Sequence, residues 1–294
     1  MPNDNIEKLK EGEKWALLDC DDVLLDWIGG FGEFLKAAKG LAIEGRPDSW
    51  DMSKWSGVSS EKTVGFINEF NTGDVGFEKL KPMTGAVESI RNLKEFGFNI
   101  AIITSSSVSP SSVERRARNI NMVFGDMIDK LHIVALGTSK EDILKGYENA
   151  IWVEDNVKNA RLGASLGHKS FLIKAGHNLN AHEDPENADV TCVDDWHHLM
   201  PEIIRLVPDV QSALGIREAS IRALHRASEA ADYGPWTPRN PESETMNKLV
   251  RAGVVNLTKH ANKRPSAELT DIGFAALGID PRDQEHDNDV DFEI

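Results

Sequence analysis

The sequence predicts an α/β protein: an open parallel sheet, a helical insertion after its first strand, and a smaller helical module towards the C-terminal end. Three observations predict it. Short, continuously apolar runs recur at KWALLDC, FNIAIITS, KLHIVALG, AIWVED and KSFLIKAG, as expected of strands buried on both faces. Segments of helical periodicity separate these runs, and strand alternating with helix gives a parallel sheet. Acidic residues stand directly after two of the runs, where open α/β sheets bind their ligands.

The elements follow in order. Residues 14–20 make the first strand. Between Asp26 and about Lys81 the rhythm breaks: two helix-like stretches, WIGGFGEFLKAAKG and SEKTVGFINEF, flank a loop containing RPDSWDMSKW, which reads as an inserted cap. Helix and strand then alternate as GAVESIRNLKEF (85–96) and FNIAIITS (98–105), SVERRARNINMVF (112–124) and KLHIVALG (130–137), KEDILKGYE (140–148) and AIWVED (150–155), NVKNARLGASLG (156–167) and KSFLIKAG (169–176). After TCVDDWHHLMPEIIRLV (191–207) the alternation stops, and Pro208 to Ile216 reads as a linker. An amphipathic helix is expected over REASIRALHRASEAAD (217–232). The domains expected are thus 14–207, with its insertion at 26–81, then a module over 217–279 and a solvated acidic tail over 280–294.

Length and composition fit this division. At roughly 150 residues per domain, 294 residues suggest two domains. Hydrophobic residues at 40% and charged residues at 28% exclude collagen-like and mostly disordered chains. No apolar run approaches the ~20 residues that span a bilayer, so no membrane role is expected. The opening MPNDNIEKLKEGEK matches neither a secretory signal nor a transit peptide, and a cytoplasmic location is expected. Two cysteines, Cys20 and Cys192, cannot make a disulfide framework. The net charge of −15 opposes non-specific attraction to nucleic acid or anionic lipid.

The strongest chemical signal is Asp19-Cys20-Asp21-Asp22-Val23-Leu24 at the end of the first strand. Carboxylates crowded there repel one another unless a cation or protons intervene, and a divalent metal is the natural partner. Further strand ends carry Thr104 and Ser105 in IAIITSS, and Glu154 and Asp155 in IWVEDN, while Lys140 opens the helix in TSKEDIL. The histidines show no zinc-ligand spacing, so surface or core roles are expected for His177, His182, His197 and His198.

Taken together, these segments resemble the four motifs of the haloacid dehalogenase superfamily in order, over about residues 14–200. The resemblance implies a Rossmann-like sheet with a helical C1 cap. It also implies that Asp19 attacks phosphorus to form an aspartyl-phosphate, with Asp21 as general acid and then base. Haloacid dehalogenases proper lack this second aspartate, so Asp21 favours phosphate esters. By the same resemblance Asp19, Asp155 and the Asp21 carbonyl would hold Mg2+, with Glu154 or Asn156 orienting the ligands. Thr104, Ser105 and Lys140 would hold phosphoryl oxygens, with Lys145 the rival lysine. Asn159 stands where a second motif IV acid is frequent.

The cap segments, with FEKLKPMTGAVESI returning the chain, resemble the 5'(3')-deoxyribonucleotidase branch, implying a nucleoside monophosphate substrate. Among the cap rings Trp27, Phe31, Trp50, Trp55, Phe66 and Phe70, the pair Trp27 and Phe31 is expected at a base slot, because it follows the catalytic loop. The stretch SETMNKLVRAGVVNLTKHANKRPSAELTDIGFAALG resembles the last helix and wing of a winged-helix domain. Leu249, Val250, Val254 and Val255 are expected on its apolar side, with Lys259, His260, Lys263 and Arg264 at the hairpin tip. Packing, homo-oligomerisation and nucleic-acid contact are all open to this module, and the acidic tail argues against the last. Two alternatives to a nucleotidase stand: a phosphatase for another small ester or a nucleic-acid end, and a nucleic-acid-binding regulator whose sheet domain senses a phosphorylated ligand.

Overall fold

The computed structural model describes residues 12–73, 76–261 and 263–279, so the acidic tail expected over 280–294 lies outside the described residues. Six parallel strands form one sheet: β1 (Lys14–Leu18), β2 (Phe98–Ser106), β3 (Lys130–Ala135), β4 (Ile151–Glu154), β5 (Lys169–Ile173) and β6 (Val190–Val193). Their order is β3-β2-β1-β4-β5-β6, the doubly wound arrangement. Chain order runs outward from β1 on one side and from β4 on the other. The crevice beyond the carboxyl ends of β1 and β4 is therefore the topological switch point where such sheets take ligands. Ala16, Leu17, Leu18, Ile151, Trp152 and Val153 are fully buried, which explains the uninterrupted apolar runs of the two central strands.

The described residues divide into two compact units, 13–90 with 98–199, and 91–97 with 200–279. The first holds the sheet and the insertion, where α1 (Trp27–Lys39), α2 (Met52–Ser56) and α3 (Ser60–Thr72) pack. Helix α2 occupies what the sequence reads as loop: Asp51 caps its start and Gly57, at φ +68°, its end. The base of the insertion is a backbone clasp, with the Asp26 N–H donating to the Lys81 carbonyl at 2.8 Å and the Met83 N–H to the Leu24 carbonyl at 2.9 Å. Helix α4 (Ala86–Glu95) leads back to β2. Between later strands lie α5 (Pro110–Phe124), α6 (Glu141–Leu144) and α7 (Val157–Ser165), and α8 (Trp196–Arg205) follows β6.

The unit division falls between Leu199 and Met200, inside α8, ahead of the expected linker. That segment is itself helical, α9 (Val210–Leu214), because Asp209 accepts from the Ser212 N–H at 3.0 Å and Gly215 closes the turn in the left-handed region. Helices α10 (Glu218–Glu229) and α11 (Glu244–Arg251), the antiparallel hairpin β7 (Val255–His260) and β8 (Lys263–Leu269), and α12 (Asp271–Leu277) complete the second unit. Trp236 adds a third short rung, exchanging backbone hydrogen bonds with Ala267 at 2.8 and 2.7 Å. Leu249, Val254 and Val255 are buried as expected, whereas Val250 is exposed, one position off the buried face of α11. Lys259, His260, Lys263 and Arg264 are exposed on the hairpin.

Among the described residues no helix is long and apolar enough to cross a membrane.

Candidate functional site

The switch point gathers most of the residues marked out by the sequence. Asp19 extends β1 by one rung, its N–H donating to the Val153 carbonyl of β4 at 2.9 Å, which places its carboxylate beside the acids ending that strand. Carboxylate oxygens of Asp19, Glu154 and Asp155 all lie within 4.8 Å of one another, and all three residues are buried. Lys140, only 3% exposed, donates to Asp19 Oδ1 at 2.6 Å and to Glu154 Oε1 at 2.7 Å. Its rival Lys145 pairs with Glu141 at the surface. One ammonium thus faces three carboxylates.

The electrostatic consequence is a site deficient in positive charge. Burial pushes Asp19 up to about 7 although Lys140 opposes the shift, and the neighbouring Glu154 adds to it. Burial together with the charges of Glu154 and Asp19 raises Asp155 well above the ordinary carboxylate range. Lys140 is held protonated: its burial is outweighed by Asp19 and Glu154. These oxygen-only donors fit a hard cation such as Mg2+, which binds through one or two carboxylates and keeps several waters. On the neighbouring strand, Thr104 Oγ1 near the end of β2 is buried with no hydrogen-bond partner among the described residues, a polar atom left for a ligand. Ser105 is half-buried on the same strand end.

Glu154 is saturated. Its Oε1 accepts from Lys140 and from Asn159 Nδ2, the latter at 2.8 Å, and its Oε2 accepts from the Asp155 and Asn156 N–H groups at 3.0 and 2.9 Å. Four donors on two oxygens make it an orienting group. Asn156 differs from expectation: its side chain caps α7, accepting from the Lys158 N–H at 3.0 Å, so only its backbone N–H serves the site. Asn159, in place of a further acid, supplies an amide donor.

Asp21 bonds a different cation from the other acids. Its Oδ2 accepts from Arg116 Nη2 at 2.7 Å, and its Oδ1 is buried without a partner among the described residues. Asp22 adopts φ +58° in the tight turn after Asp21 and accepts from the Ile28 N–H at 3.1 Å and from Arg46 Nη2 at 2.8 Å. Arg46 also reaches Asp26 Oδ1 at 2.8 Å.

Arg116 and His177 escape sequence reasoning as contributors to the site, and Trp50 stands there only as one of six cap rings. Arg116 lies on a buried stripe of α5 with Ser112, Asn119, Ile120 and Phe124, and a polar stripe at apolar spacing is the signal that could have found it. His177 brings Nε2 within 3.1 Å of Asp155 Oδ2, a tertiary contact with no spacing signature, and its burial favours the neutral ring. Trp50 packs against His177 with ring centroids 3.9 Å apart and planes tilted by 39°, while remaining 56% exposed. It, rather than Phe31, is the cap ring open to solvent beside the site. Phe31 is fully buried among Trp27, Phe34, Trp55 and Phe70, so it is cap core. Trp27 is partly exposed, with Nε1 donating to Asn71 Oδ1 at 2.9 Å.

No protein-family model matches the chain, and no curated protein matches it. Solved structures are similar to it at low identity. A HAD family hydrolase from Deinococcus radiodurans R1 with bound phosphate and sodium is 16% identical, covering 71% of this chain and 100% of its own, with a TM-score of 0.46. A D,D-heptose 1,7-bisphosphate phosphatase from B. bronchiseptica complexed with magnesium and phosphate is 11% identical, covering 65% and 98%, with a TM-score of 0.42. A HAD-superfamily hydrolase from Ehrlichia chaffeensis is 15% identical, covering 68% and 98%, with a TM-score of 0.43.

Proposed function

We propose that this chain is a phosphomonoester hydrolase that passes the phosphoryl group through Asp19, with nucleoside monophosphates as its substrates. The observation that carries the reading is Asp19 itself: a buried carboxylate at the switch point, ion-paired to Lys140 at 2.6 Å, with Asp155 alongside and, at the neighbouring strand end, the Thr104 hydroxyl that has no partner among the described residues. In the first step an Asp19 carboxylate oxygen attacks phosphorus, and the ester P–O bond breaks with its electron pair going to the leaving oxygen. Asp21 gives that oxygen a proton. In the second step Asp21 takes a proton from water as the water oxygen attacks phosphorus, releasing phosphate and restoring Asp19.

Lys140 keeps a positive charge against the nucleophile and the transferring group throughout, and Thr104 and Ser105 offer hydroxyls to the phosphoryl oxygens. Asp19, Asp155 and the Asp21 carbonyl would hold Mg2+, which when bound neutralises charge on the phosphoryl oxygens. Glu154 and the Asn156 N–H fix these ligands from behind. A nucleoside is favoured over other alcohols by the exposed Trp50 ring, and Trp27 is the second available face. Another small ester remains the alternative substrate. The exposed cations of the β7–β8 hairpin favour the second reading, a nucleic-acid end.

The test is release of inorganic phosphate from a panel of nucleotides, sugar phosphates and 5'-phosphorylated oligonucleotides, with Mg2+ and with EDTA. Turnover is expected for the mononucleotides, lost in EDTA and in Asp19→Asn. Beryllium trifluoride is expected to occupy Asp19. Full activity in Asp19→Asn would overturn the mechanism, and preference for oligonucleotides would move the substrate class to polymer ends.

A further inference from the structure

We propose that Arg116 is a positioning residue for the general acid: it grips one oxygen of Asp21 so that the other is the oxygen that hands a proton to the leaving group. Arg116 is fully buried on α5. Its Nη2 donates to Asp21 Oδ2 at 2.7 Å, and its Nη1 lies 3.4 Å from Cys20 Sγ, so the guanidinium spans the two residues that follow the nucleophile. The Cζ of the same guanidinium lies over the Phe77 ring, 4.2 Å from its centroid, on the segment by which the insertion returns to the sheet. It is therefore contacted from three sides, its Nε alone lacking a partner among the described residues, and these contacts oppose its following the carboxyl if that group turns.

The grip has a stereochemical result. With Oδ2 committed to Arg116, the two oxygens of Asp21 are no longer equivalent. Oδ1, buried and without a partner among the described residues, is the one left for chemistry. A carboxyl free to rotate would present either oxygen and would lose part of the alignment on which proton transfer depends. Arginine suits the task better than lysine because its planar fork contacts Asp21 and Cys20 at once, where an ammonium is a single point.

This inference rests on the reading of the site as a phosphatase, and its experiment separates the two. A nucleoside monophosphate leaves as an alkoxide that needs a proton, whereas p-nitrophenyl phosphate leaves as a phenolate that does not. The quantity to follow is the ratio of kcat/KM for the alkyl ester to that for the aryl ester, since kcat/KM reports the steps through transfer to Asp19. In Arg116→Met this ratio is expected to fall at least about tenfold, and in Asp21→Asn about a hundredfold, the lower end of what general acid catalysis contributes. Arg116→Lys should fall between wild type and Arg116→Met, and it takes over the test if Arg116→Met fails to fold by circular dichroism. Equal losses on both esters, or an unchanged ratio in a folded variant, would overturn the positioning role and leave the phosphatase reading intact. A wild-type protein that hydrolyses neither ester would overturn both.

Discussion

Lys140 shows how a single side chain is fixed by its surroundings. A buried ammonium is costly unless paired, and here it bonds two carboxylates and lies 5.2 Å from the Trp152 ring centroid. Lys140→Met removes the only cation bonded to Asp19 among the described residues, leaving Asp19, Glu154 and Asp155 to repel one another. Phosphate release by this variant should drop by about 10²–10³, and a loss under tenfold would contradict the role given to the lysine. His168 carries a different prediction, for stability. Its ring accepts from the Ala150 N–H at Nδ1, 3.3 Å away, and meets the Leu144 carbonyl at Nε2, 3.1 Å away. That arrangement requires the neutral tautomer. Burial accordingly lowers its pKa below 6.5, the carbonyl only partly offsetting this. The unfolded chain then binds the proton first, so the stability held above the ordinary histidine value is lost as pH falls from that value through the lower one of the folded state. Between about pH 7.5 and 5 the melting temperature of wild type should fall relative to that of His168→Gln, whatever the common trend set by the raised pKa values of Asp19 and Asp155.

Elements differ in how plainly the sequence announces them, and the reason is physical. Strands β1, β2, β4 and β5 are buried on both faces and therefore write themselves as apolar runs, and the residues at or just past the ends of β1, β2 and β4 could be read off at once as site candidates. Helix α2, with 5 residues, is too short to show a period and exists because its caps hold it, whereas the edge strand β6 exposes Thr191 and so breaks the apolar run that the buried strands show. Helix α6 ends after Leu144, far short of the stretch its periodicity suggests. Arg116 and His177 were hidden for another reason: each acts through a contact between segments distant in sequence. The packing of α7 on β4 is tight enough to predict from. A methyl at Gly163 would overlap the Trp152 ring, whose Nε1 already donates to the Asn159 carbonyl of the same helix at 2.9 Å. Gly163→Ala should cost about 1–3 kcal/mol despite alanine's better helix propensity, because the indole is fully buried and has nowhere to retreat. A thermal melt unchanged from wild type would show that the helix shifts freely on the strand.

At the scale of the whole molecule the net charge of −15 sets the background. Diffuse repulsion of this kind is screened by any salt, so NaCl should raise the melting temperature modestly. The buried cluster is a separate reservoir: three carboxylates meet one ammonium there, out of reach of the ion atmosphere. A dication that binds the folded chain alone stabilises it by mass action, about 2.7 kcal/mol at a hundredfold excess over Kd. MgCl2 should therefore raise the melting temperature by several degrees beyond NaCl of matched ionic strength. Asp155→Asn separates the two effects with opposite signs. In EDTA the variant should melt above wild type, because burial and the adjacent acids disfavour the charged form of Asp155 and the amide carries no charge. In MgCl2 it should lose most of the extra shift, because a cation ligand is gone. A variant that responds to Mg2+ as wild type does would move the dication site away from the end of β4, and a variant that melts lower in both buffers would mean that the carboxylate stabilises the fold without any ion.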